Sequence, residues 1–319
     1  MATSSQVQLV CLSTTLVVTS ADKCVTPTST WSDNAPRSAL ALVPPLLELL
    51  FYTPSSLQLH SDHERLRFLS YVETQHEVSL VFEEQLLTKF PQGALEFEPL
   101  RWKALQVASA GPGAFLSQLA VLTQLTTELA KHRISVFQIS TYQTDYVLVK
   151  VEDLDAAIGC LQSFCSIEME SGEQLSVLNR TFVRRHLYSL VELLFKPTQL
   201  EEERFLSYSE TGDDISVVTS DENFLDEART LMEQGDQGVL VSPDFWRPVQ
   251  IGNTKLGFAE TGIVAGQTRV LVNAGTTVFY LSTYATDFML IKEDEWDDAL
   301  PILRDHFRLI EGAFAPLTA

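Results

Sequence analysis

The chain has 319 residues, with 42 acidic against 22 basic side chains and a formal net charge of −20. A field of that sign repels phosphate backbones and anionic lipid. No basic patch relieves it, since the densest candidate is Arg184-Arg185-His186, so neither nucleic acid nor a membrane surface is expected as a partner. A hydrophobic content of 45% with 20% charged residues excludes a disordered chain and supplies apolar surface for more than one core.

In chain order, Val7 to Leu12 is apolar apart from Gln8 and follows no basic region, which argues against a secretory signal. No apolar run of about 18 residues offers a membrane span. Val7 to Val18 reads as strand, and residues 20–37, rich in Ser, Thr and Pro, as a flexible insertion. Ala39 to Phe51 predicts an apolar helix. Phe68 to Thr74 and Val78 to Phe82 form a hairpin around Glu73-Thr74-Gln75-His76, and a short helix follows over Phe82 to Lys89. Trp102 to Ser109 is a strand, ended by the turn Ala110-Gly111-Pro112-Gly113. Phe115, Leu119, Leu122, Leu125 and Leu129 then recur at helical spacing. Ile134 to Thr141 and Tyr146 to Lys150 are strands of β-branched and aromatic residues. Leu154, Ile158 and Leu161 mark a closing helix, with Glu152 and Asp153 at the end where the helix dipole favours acids. Cys11, Cys24, Cys160 and Cys165 match no zinc spacing and read as thiols of a reducing compartment. His60 and His63 lack a surrounding carboxylate-histidine framework, so no metal and no cofactor is expected.

The sequence also matches itself. Leu47-Glu48-Leu49-Leu50-Phe51 returns as Val191-Glu192-Leu193-Leu194-Phe195, and Arg67-Phe68-Leu69-Ser70-Tyr71 returns unchanged at Arg204 to Tyr208. Trp102 answers to Trp246, and Ser140-Thr141-Tyr142-Gln143-Thr144-Asp145 to Ser282-Thr283-Tyr284-Ala285-Thr286-Asp287. Four matches in one order at nearly constant spacing predict two homologous halves joined near Glu168 to Leu175. Each half divides again into strand, helix, hairpin, helix, strand. The expected fold is therefore α+β, four ferredoxin-like βαββαβ units over residues 1–98, 99–170, 171–243 and 244–319.

Four such units without a catalytic signature resemble ACT regulatory modules. Residues His132 to Val149 and Gly257 to Asp287 further resemble the CASTOR family, cytosolic arginine sensors that act upstream of the TOR kinase. The resemblance implies that free arginine lies between the second and fourth ACT units. It assigns Ser135 and Val136 to the ligand carboxylate, Glu260 to its α-amino group, and Gly262, Ile263 and Val264 to the loop around its backbone. Thr283 and Tyr284 would offer carbonyls to the guanidinium, and Asp287 its counter-charge. The chemistry is coherent, because a zwitterion with a cationic tail needs an anion for each cationic end and donors for its carboxylate. Tyr142, Gln143 and Asp145 match the surface that contacts the effector, a GATOR-type complex, and a homodimer is expected.

Several of these residues also carry a plainer reading. Asp287 and Asp145 occupy the same repeat position, where an aspartate after a strand turn can bond its own backbone. Ser135, between Ile134 and Val136, suits an ordinary strand, and the Tyr142-Gln143 pair suits a tight turn. Glu260 is more distinctive, because the first half has no acid in the corresponding loop. The chain lacks a phosphate loop, a Gly-x-Gly-x-x-Gly fingerprint and a Gly-x-Ser-x-Gly elbow, and no enzyme activity is expected. A regulatory subunit of an amino-acid-metabolism enzyme and a ligand-independent adaptor are the alternatives. Ala285 and Thr286 in the fourth-unit turn leave selectivity for arginine over lysine or ornithine open.

Overall fold

A computed structural model describes residues 7–22, 43–49, 68–75, 77–107, 115–170, 186–195, 204–211, 214–236, 238–252, 257–309 and 317–318. In chain order the elements begin with β1 (Val7–Cys11), β2 (Leu16–Asp22), α1 (residues 43–49), β3 (Phe68–Glu73), β4 (Glu77–Glu83), β5 (Glu96–Phe97) and β6 (Trp102–Val107). Next come α2 (Phe115–Lys131), β7 (Val136–Ser140), β8 (Asp145–Lys150), α3 (Leu154–Leu161) and β9 (Cys165–Met169). They are followed by α4 (Leu187–Phe195), β10 (Leu206–Thr211), β11 (Asp214–Thr219), α5 (Glu222–Glu233) and β12 (Phe245–Ile251). The last are α6 (Ile263–Asn273), β13 (Val278–Ser282), β14 (Asp287–Lys292), α7 (Trp296–His306) and β15 (Leu317–Thr318). The short helix expected after Phe82 is a 3-10 helix, Glu84–Lys89.

The described elements follow the expected order, with two differences. Val7 to Val18 is two strands, β1 and β2, separated at residues 12–15. Cys165–Met169, in the stretch read as a junction, is a strand paired in parallel with β1. The turn Ala110–Gly113, most of the 20–37 insertion and the junction beyond Glu170 lie outside the described residues.

The elements pack into two compact units that interleave along the chain. One comprises Met1–Leu16, Leu100–Glu170 and Asp244–Pro316; the other comprises Val17–Pro99, Ser171–Pro243 and Leu317–Ala319. Within the first, strands lie in the order β12-β14-β13-β7-β8-β6-β1-β9. β1, assigned from sequence to residues 1–98, is thus inserted between β6 and β9 of the following segment. Alternation explains how helices and sheet meet. Leu105, Val107, Val147 and Val149 share one sheet face and form a core with Leu122, Leu125 and Leu129 of α2 and Ala157 and Leu161 of α3. Tyr280, Met289 and Ile291 do the same with Val264 and Leu271 of α6 and Ala299 and Leu303 of α7. Fully burying each such aliphatic side chain contributes about 1.5–3 kcal/mol relative to exposure.

In the other unit the order is β5-β2-β4-β3-β10-β11-β15. The repeated segments pair with each other over the full length of β3 and β10, with Tyr71 opposite Tyr208 and Leu206 opposite Glu73. Tyr71 donates to Glu73 at 3.2 Å, and the guanidinium of Arg204 lies 3.8 Å from the same buried carboxylate.

The matching junction of the first unit is looser. β7 and β13 share a single ladder pair, Ile139 opposite Leu281. Two serines complete it. Gln138 donates its backbone N–H to Ser282 Oγ at 3.0 Å, and Tyr280 donates its N–H to Ser140 Oγ at 3.2 Å. Ser140 and Ser282 are repeat equivalents, as are Gln138 and Tyr280, so the two bonds are related by a local two-fold. Either serine replaced by alanine leaves a buried N–H unpaired. Ser140→Ala and Ser282→Ala are each expected to cost about 1–3 kcal/mol in chemical denaturation, and their effects to deviate from additivity because they close one junction.

Candidate functional site

The repeat is broken in one place. α2 has 17 residues and α6 only 11. Where α2 has its first two turns, the second copy has the loop 257–262, which runs into α6 through Gly262. That residue has φ +80° and no capping side chain, and its Cα faces the Ala130 methyl, which a Cβ would meet at 3.6 Å. The left-handed conformation explains a glycine here. It also leaves the first N–H groups of α6 without a side-chain cap, a setting suited to a carboxylate. Phe258 anchors the loop by packing edge-on against Trp102 at 5.5 Å and Tyr284 at 5.3 Å, with Phe137 at 6.4 Å. Phe258 was not among the sequence candidates. Its only signal is an isolated large apolar residue beside glycine in a polar loop.

The loop is thereby brought beside β7 and the β13–β14 turn. Val136 opens β7, half-buried, and Ser135 before it is buried. The Ser135 hydroxyl has no protein partner among the described residues. Its repeat equivalent, Thr277, is fully engaged: Glu295 accepts from the Thr277 backbone N–H at 2.5 Å and from its hydroxyl at 2.8 Å. Ile263 is half-buried at the start of α6, whereas the Val264 side chain points into the core and leaves only backbone for any ligand. Thr283 closes the β13–β14 turn by donating its hydroxyl to Thr286 O at 2.6 Å, and Tyr284 is buried under Phe258.

Asp287 does not follow the plain turn reading. Side chains hold its carboxyl: Tyr280 donates to Oδ2 at 3.0 Å, and Ser282 bonds it as well. Burial pushes the group up to about 6, the Ser282 and Tyr280 bonds act in the opposite sense, and the negative charge of Glu260 adds to the rise. Glu260 itself is exposed on the loop. The two carboxylates are therefore within electrostatic reach of each other, and among the described residues no cation pairs with Asp287. Asp145, the repeat equivalent, is also pushed up to about 6 by burial, against a bond from Ser140.

At the other end of β7, Tyr142 is half-buried and Gln143 exposed, while the Asp145 side chain is turned inward and buried. Thr141 donates to Thr144 O at 2.8 Å, the same turn as in the second copy. Among the described residues, no group of three His, Cys, Asp or Glu is placed to hold a metal, and no helix is long and apolar enough to cross a membrane.

A helix-covered sheet built from repeated strand-helix-hairpin-helix segments is the class of the tandem ACT-domain proteins. The ACT domain family matches residues 98–163 and 241–305. Residues 8–98 match the family described as cytosolic arginine sensor for mTORC1 subunit 1/2, ACT-like. Cytosolic arginine sensor for mTORC1 subunit 1 from Pongo abelii is 27% identical over 311 residues, covering 82% of this chain and 90% of that protein. The Homo sapiens protein of the same name is 26% identical, with 82% and 90% covered. Putative protein CASTOR3P from Homo sapiens is 34% identical over 104 residues, 31% of this chain and 64% of that protein. Over most of its length the chain is thus similar to the CASTOR family of tandem ACT-domain proteins.

Both buried aspartates take up protons on folding. An unfolded carboxyl titrates near pH 4, so the folded chain binds the extra protons between that value and about 6. Stability from this source is present at the acid end of the window and is lost as pH rises through about 6. Asp145→Asn is accordingly expected to stabilise the protein at neutral pH by about 1–3 kcal/mol and to flatten its stability between pH 5 and pH 7, as read by denaturant melts.

Proposed function

We propose that this chain is a cytosolic sensor of free arginine rather than an enzyme. In this reading it has four ferredoxin-like ACT units in two homologous halves and acts as a homodimer. It holds arginine between residues 99–170 and 244–319 and relays occupancy to a GATOR-type complex upstream of the TOR kinase. Similarity to the CASTOR family supports the sensor role. The observation that carries the ligand is a buried carboxylate with no cation beside it among the described residues, Asp287, within reach of a second acid, Glu260. Asp287 would answer the guanidinium and Glu260 the ammonium, while Ser135, the Val136 amide and the open start of α6 would serve the carboxylate.

The broken repeat supports a single ligand. The position that mirrors Ser135 is closed by Glu295, so only one end of the junction leaves its donors available. Tyr142 and Gln143 form the turn offered to the effector, with Asp145 holding that turn from beneath. The ligand shifts the sensor between partner-bound and partner-free states only if it binds the two unequally.

Arginine is expected to bind saturably in calorimetry, and Asp287→Ala to remove about 2–5 kcal/mol of that affinity. The cation requires the ionised carboxylate, so binding weakens as pH falls through about 6 and releases a proton at the acid end. Unchanged affinity in Asp287→Ala would falsify the assignment, and no binding by any amino acid would favour the ligand-independent adaptor. In pull-downs from cytosol, arginine is expected to lower capture of the GATOR-type complex, and Tyr142→Ala to lower it without arginine.

A further inference from the structure

Asp287 has a neighbour that no ligand assignment includes. Tyr280, fully buried on β13, places its hydroxyl 3.0 Å from Asp287 Oδ2 and 3.1 Å from Gln267 Oε1 on α6. A phenol has one proton and cannot donate to two acceptors. The charged acceptor makes the stronger bond, so Asp287 takes the proton. The amide of Gln267, turned about its last torsion, then supplies an N–H to the phenol oxygen, so that the phenol both donates and accepts.

We propose that Gln267, Tyr280 and Asp287 form a directed relay, amide to phenol to carboxylate, that holds Asp287 ionised and fixed in orientation while its site is empty. Tyr280 and Gln267 are positioning residues, and the proposal rests on the reading that Asp287 faces a cationic ligand. A buried carboxylate awaiting a cation must keep its charge without one, and donors polarised in series make that less costly. Ser282 and Tyr280 face the carboxyl from β13, Gln267 acts through Tyr280 from α6, and Glu260 opposes them from the preceding loop.

The repeat provides an internal comparison. The positions equivalent to Tyr280 and Gln267 are Gln138 and Leu125. The Gln138 amide is buried with neither its oxygen nor its nitrogen bonded among the described residues, and Leu125 is in the core. Asp145 therefore has the serine and not the relay. Of the two repeat-equivalent aspartates, the one assigned to a ligand is served by donors in series and the other is not.

Carboxyl-carbon NMR titration of Asp287 without ligand tests this in the wild type, Tyr280→Phe and Gln267→Leu. Tyr280→Phe is expected to raise the Asp287 midpoint by about one pH unit, and Gln267→Leu by less in the same direction, with the Asp145 midpoint unmoved as internal reference. An Asp287 midpoint unchanged in both variants overturns the relay, as does an equal rise at Asp145, which would mark a general loosening of the fold. Arginine titrations on the same samples separate the two readings. A raised midpoint with no arginine binding in the wild type leaves the relay standing and removes the sensor. Arginine binding in the wild type with unmoved midpoints does the reverse.

Discussion

Two serine hydroxyls hold the junction on which the candidate site depends. β7 and β13 meet at one ladder pair, and the next backbone N–H on each side is satisfied across the gap by Ser282 or Ser140. Each hydroxyl also bonds the buried aspartate of its own strand pair. A continuous path of hydrogen bonds therefore runs from the Asp287 carboxyl through Ser282 to the backbone of β7, the strand leading into the Tyr142 turn. Between β3 and β10, by contrast, the ladder runs the full length of both strands.

The two copies differ around this junction. The loop 257–262 takes the place of two helical turns and is fastened by Phe258 on an aromatic platform. Thr277 is consumed by Glu295, while Ser135 is not. A tyrosine at position 280 takes the place of the glutamine at position 138. An approximately two-fold scaffold thus carries a one-sided arrangement of charge, which is what an asymmetric ligand needs and a symmetric frame cannot offer.

Much of this was legible in the chain itself. Helical spacing marked α2 and α3, β-branched alternation marked β7 and β8, and self-matching exposed the repeat, because these signals are local or repeated. Other features were hidden for identifiable reasons. β9 is short and half polar at a sheet margin, so its composition resembles a linker. The insertion of β1 between β6 and β9 is a long-range pairing without local trace. The plain turn reading of Asp287 fails because its carboxyl points to Tyr280, seven residues earlier, and to Ser282, a geometry without local trace in the sequence. Tyr280 against Gln138 lies just outside the matched stretch Ser140 to Asp145 and Ser282 to Asp287, where the copies diverge.

The self-complementary pairing has a further consequence. Where Tyr71 faces Tyr208 and Ser140 answers Ser282, each partner is its own repeat counterpart. A molecule of half this length would meet the same edge on a second copy of itself, and every change in it would be felt twice. Joining the copies in one chain removes that obligation. One side can then lose a donor, gain an acid or shorten a helix while the other keeps the scaffold intact, so specificity can evolve in one copy without a matching loss of stability in the other.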